Sequence, residues 1–89
     1  MSSDIFLRRA AFFIYMDLLH LFNGQSGEVL SFHLPSVTVH TLRALGVGVG
    51  ERITLLHRSL FNGSVMLALT DKKIVLGKDI AEKIEVKKV

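Results

Sequence analysis

Residues 52–58 read Arg52-Ile53-Thr54-Leu55-Leu56-His57-Arg58. After Ser59-Leu60-Phe61-Asn62-Gly63-Ser64 the chain returns as Val65-Met66-Leu67-Ala68-Leu69. Ile53 and Leu55 flank polar Thr54, which puts both on one face of a strand with period two. Asn62-Gly63 is the strongest hairpin signal in the chain, because both residues tolerate the positive φ that a type I′ turn demands. The stretch predicts antiparallel strands Arg52 to Arg58 and Val65 to Leu69, with Leu60 and Phe61 at the tip. Polar Thr70-Asp71-Lys72-Lys73 then makes a turn into another short strand, Ile74 to Leu76.

Upstream, Asn23-Gly24 and Ser26-Gly27 punctuate a turn before a strand from Glu28 to Leu34, ended by Pro35. Ser36 is placed to cap a helix from Val37 to Leu45, with Gly46 behind it as a left-handed C-terminal cap. Two β-branched turns would melt alone, so this helix must pack on the sheet. On it, Leu45 is expected to point into the core and Leu42 to lie beside a groove. Gly50 suits a turn with positive φ. Downstream, Asp79 to Lys83 predicts one helical turn, and Ile84-Glu85-Val86 a last strand. Lys87-Lys88 follow in solvent. With no βαβ rhythm, the pattern predicts a mainly β fold, a small, strongly bent barrel of about five strands with one short helix between strands 1 and 2.

The chain has 89 residues, room for one core. At 49% hydrophobic and 21% charged residues it must fold rather than stay disordered. Cysteine is absent, which removes disulfides, thiolate metal sites and a thiol nucleophile. A net charge of +3 is too small and too scattered to predict a nucleic-acid or lipid partner. The first residues, MSSDIFLRRAAFFIYMDLLHLF, hold an apolar run from Ala10 to Met16 that Asp17 closes. That run is too short to span a bilayer, and no small-residue cleavage site follows it. Its apolar residues go nearly all round a helix, so it must be buried against something. Two readings stay open: a helical segment that associates with a second copy, or an extension ahead of a natural start at Met16. The division is therefore residues 1–15 as an extension and 16–89 as the barrel.

Four groups of positions belong together: Leu18, Leu21, Gly24-Gln25, Gly27 and Val29; Leu42-Arg43-Ala44-Leu45-Gly46-Val47 with Gly50; Ile53-Thr54-Leu55-Leu56 with Arg58; and Leu76-Gly77-Lys78-Asp79-Ile80-Ala81-Glu82-Lys83-Ile84-Glu85-Val86. In their order and spacing they resemble the ferrous-iron transport protein A (FeoA) family over residues 16–88. The resemblance implies an SH3-like barrel in the bacterial cytosol. It implies a non-enzymatic accessory of ferrous-iron uptake that binds and modulates the membrane permease FeoB. The family usually has proline where Val49 precedes Gly50, and Ala-Pro-apolar-Gly-Asp-Pro at the hairpin tip, so this chain presents different side chains there. The same barrel is similar to the C-terminal domain of iron-dependent repressors, which gives a regulatory domain as an alternative. A small nucleic-acid-binding barrel is another.

Catalysis needs a nucleophile or a positioned acid–base pair. The chain has no G-x-S-x-G elbow, and Asp79 with Glu82 reads as a solvated helical turn. Of the histidines, His33 and His40 come close in the predicted fold, and His57 lies on a strand. No H-x-x-x-H or H-x-H pair is present, so they read as ordinary polar residues. No metal or cofactor is expected. The partner-binding residues are expected to be Leu42, Leu60, Phe61 and Asn62, since grouped exposed apolar residues mark interaction surfaces. Gly46, Gly50 and Gly63 are expected to be structural turns.

Overall fold

In the computed structural model, which describes residues 15–89, alternating side chains build one antiparallel sheet. Strand β1 (Tyr15–Asp17) leads into a 3-10 turn (Leu18–His20). β2 (Ser26–Phe32), helix α1 (Ser36–Ala44), β3 (Arg52–Arg58) and β4 (Val65–Ala68) follow. β5 (Lys73–Leu76), the one-turn helix α2 (Lys78–Ala81) and β6 (Ile84–Lys88) complete the chain. The strand order is β1-β6-β2-β3-β4-β5. β2 to β5 form a meander, and β6 returns beside β2.

Two expectations need correction here. The described residues hold six strands, and the sheet is not closed into a barrel. Closure requires tilted strands long enough to carry the stagger. β1, with three residues, and β5, with four, end the sheet on opposite sides without pairing to each other. The sheet bends instead. The β2–β6 register shifts between Val29 and Ser31, and the β3–β4 register between Leu55 and His57. Each extra residue sharpens the local twist.

The concave face is filled by side chains rather than by a closing strand. Ile53, Leu55, Val65, Leu67, Ile84 and Val86 point inward and are fully buried. Val29 from β2, Leu76 from β5, Leu18 and Leu21 from the 3-10 turn region, Leu42 and Val47 from around α1, and Ala81 from α2 complete this core. Each buried Leu, Ile or Val contributes about 1.5–3 kcal/mol before chain entropy is counted. At Gly27 a Cβ would stand 3.2 Å from the Val86 Cβ and 3.4 Å from the Lys87 carbonyl oxygen, so β2 and β6 approach closely there.

Helix α1 corrects two details. Ser36 is its first residue rather than its cap. Pro35 holds the N-cap position without a side-chain bond, and its carbonyl accepts from the Thr38 and Val39 amides at 3.0 Å each. At the other end the Gly46 amide donates to the Arg43 carbonyl at 3.0 Å, and the Val47 amide to Leu42 at 2.8 Å, with Gly46 at φ +102°. This paired closure sets Val47 against the turn that carries Leu42. Leu42 is therefore the inward residue, and Leu45, just before the chain reverses, is 39% exposed. The burial expected of Leu42 and Leu45 is exchanged, and Leu42, at 2% exposure, does not lie open beside a groove. Residues 1–14, and with them the expected helical extension and its self-association, lie outside the described residues.

Candidate functional site

The loop Ser59–Ser64 joins β3 to β4 and is closed by the Ser59 amide donating to the Ser64 carbonyl at 2.8 Å. Only Gly63 has positive φ, +72°, and no non-glycine among the described residues does. The connection is therefore not the two-residue type I′ turn that Asn62-Gly63 predicts. Asn62 works through its side chain instead. Its Oδ1 accepts from the Ser64 amide at 3.0 Å and from the Ser64 hydroxyl at 2.8 Å. A short amide bonding two residues ahead is a common way to hold a turn without left-handed backbone. The Phe61 amide donates to Ser59 Oγ at 3.3 Å.

The loop holds its apolar pair outside. Leu60 is 94% and Phe61 fully exposed, so Phe61 does not fold back over the core. Apolar side chains gain nothing from water, and grouped exposure of this kind marks an interaction surface. Two open clefts flank the tip. One, of about 520 Å³, is lined by Leu21, Phe22, Asn23, Arg58 and Leu60. The other, of about 250 Å³, is lined by Leu19, Arg58, Gly63 and Lys78. Phe22, 71% exposed, adds an aromatic wall, and Lys88 Nζ stands 5.6 Å from its ring centre. Arg58 separates the clefts. Its Nη2 donates to the carbonyls of Leu19 and Leu21, which ties the 3-10 turn to the base of the hairpin. Neither Phe22 nor this use of Arg58 was indicated by the sequence, because no local pattern reveals a contact spanning 37 residues.

The histidines do not converge. His20 Nδ1 lies 2.9 Å from Asp17 Oδ1. His33 Nε2 lies 2.9 Å from Glu85 Oε1, and the Ser31 hydroxyl donates to Glu85 Oε2 at 3.0 Å. These bonds, that from His33 foremost and that from Ser31 next, hold the Glu85 carboxyl below its ordinary pKa of 4.5 against a smaller opposing effect of burial. His40 and His57 are exposed. Among the described residues no three His, Asp or Glu side chains gather to hold a metal ion. Nor is any helix among them long and apolar enough to cross a membrane.

A bent antiparallel sheet with its concave face plugged by short helices, and an apolar hairpin tip held clear of the core, defines a small SH3-like β domain. The FeoA domain model matches residues 16–88, and the chain belongs to that family. No curated protein matches it. Among solved structures, the solution structure of the FeoA protein from Chlorobium tepidum is 22% identical with a TM-score of 0.78, covering 83% of this chain and 70% of that one. The crystal structure of an iron uptake regulatory protein (FeoA) is 18% identical with a TM-score of 0.73, over 85% of this chain and 99% of that one. A manganese-dependent transcriptional repressor is 21% identical with a TM-score of 0.76 over 84% of this chain, which spans only 42% of the repressor's length. At these identities the likeness concerns the fold.

Proposed function

We propose that the chain is a non-enzymatic binding module of bacterial ferrous-iron uptake that docks on the cytosolic side of a FeoB-type permease. By binding one state of that permease better than another, it would shift the balance between them. Membership of the FeoA family supplies the iron-transport setting. The observation that carries the docking role is the fully exposed Leu60-Phe61 pair on a loop braced by Asn62. A photo-crosslinking residue placed at position 61 in cells is expected to capture the permease, whereas one at exposed Asp71 on the β4–β5 turn is not. Capture at neither position, or equally at both, would contradict this reading. The likeness to the repressor's fold supports a second reading, a regulatory domain working in trans. Genome context separates the two, with a permease gene beside this one for the first and a repressor gene for the second.

A further inference from the structure

The tip stands among cations that pair with no carboxylate among the described residues, Arg58 being engaged only by the Leu19 and Leu21 carbonyls. Arg58 lines both clefts, Lys78 lines the smaller, and Lys88 lies over the Phe22 ring. No carboxylate of the described residues lines either cleft. The ion pairs among the described residues are His20–Asp17 and His33–Glu85, so none of the three cations is neutralised by a described carboxylate. Lys78 also packs against the loop, since a Cβ on Gly63 would stand 3.0 Å from its Cδ. Positive charge is thus fixed at the foot of an apolar projection.

We propose that this surface takes an acidic amphipathic polypeptide segment of the partner, with apolar anchors in the clefts beside Leu60 and Phe61 and carboxylates facing Lys78 and Lys88. The inference rests on the partner-binding reading above and adds the partner's chemistry to it. Two observations favour a polypeptide over other anionic surfaces. The clefts are open depressions on both sides of the tip, which individual side chains can enter more readily than a bilayer surface can. Their linings include Leu19 and Leu21, aliphatic groups that suit Leu or Met anchors rather than stacked bases. The unpaired cations then select carboxylates on the same segment, because like charge at a desolvated rim is rejected.

The test measures affinity of the full 89-residue chain for the detergent-solubilised permease, beside Lys78→Glu/Lys88→Glu and Phe61→Ser variants. The charge-reversed variant is expected to bind roughly tenfold more weakly. Binding of the unaltered chain should weaken several-fold from about 50 to about 300 mM salt. A synthetic helical peptide of Leu and Glu should bind, and its Leu and Lys counterpart should not. All three positions are exposed, so the fold survives, which circular dichroism checks. If Phe61→Ser abolishes permease binding while the charge reversal and salt change nothing, the acidic-segment inference falls and the docking reading stands. If the unaltered chain does not bind the permease at all, the docking reading itself falls. Capture by phosphatidylglycerol vesicles or single-stranded DNA, lost on charge reversal and without peptide binding, would overturn the inference in favour of that surface.

Discussion

Gly46 and Gly50 have φ of +102° and +89° and differ in what surrounds them. An added Cβ at Gly46 would stand 3.3 Å from Leu69 Cδ1, whereas at Gly50 nothing lies within 4 Å. Left-handed backbone costs about 1–2 kcal/mol for a residue with a Cβ. Gly50→Ala should therefore lower the melting temperature by about 4–16 °C, and Gly46→Ala by more, because Leu69 must also move. Thermal unfolding followed by circular dichroism checks the order, and the reverse order would contradict it. Glu85 sets a second residue-scale expectation. Its pKa is lowered in the folded chain, so its contribution is present above the ordinary carboxylate pKa. That contribution is lost as pH falls through the folded value. Stability should decline from about pH 5 downward, and Glu85→Gln should flatten part of that decline while weakening the chain near pH 7. Urea midpoints across pH measure both. The two glycines and Glu85 differ in how visible they are in the sequence. Gly46 and Gly50 announce themselves by type and place, but the His33–Glu85 bond joins residues 52 apart and leaves no local trace.

At the scale of elements, helix α1 shows where periodicity stops being informative. Leu42 and Leu45 are both apolar at helical spacing, and over nine residues the spacing does not say which faces the core. The closing bonds at Gly46 and Val47 decide it. Leu42→Ala should cost about 2–5 kcal/mol and Leu45→Ala less than about 1 kcal/mol, read from urea unfolding. Equal effects would contradict the observed packing. Strand β3 runs from Arg52 to Arg58, as its alternation predicts. Strand β1 was missed because Tyr15-Met16-Asp17 ends an apolar run and shows no alternation of its own, its strand form depending on pairing with Glu85, Val86 and Lys87. Asn62-Gly63 correctly marks a reversal, but its conformation is set by the Ser64 bonds rather than by the dipeptide.

Over the whole molecule, composition and turn spacing reveal the mainly β class, but closure depends on how far the two bulges bend the sheet, which no local pattern encodes. The open sheet leaves β5 as an edge, and its Lys73, with Lys72 just before it, guards against pairing with another chain. The core is filled without Phe22, Leu60 and Phe61, the most exposed of the apolar residues apart from Val37, so these serve no folding purpose that the packing reveals. The docking account assigns them to a partner. Its most direct test is the dissociation constant of the full chain for the FeoB-type permease, with and without Phe61→Ser. The account predicts binding that weakens about tenfold or more in the variant, with melting temperatures agreeing to within about 4 °C because the fully exposed ring supports nothing in the fold. Equal affinities for the two chains, or no binding by the unaltered one, would contradict it.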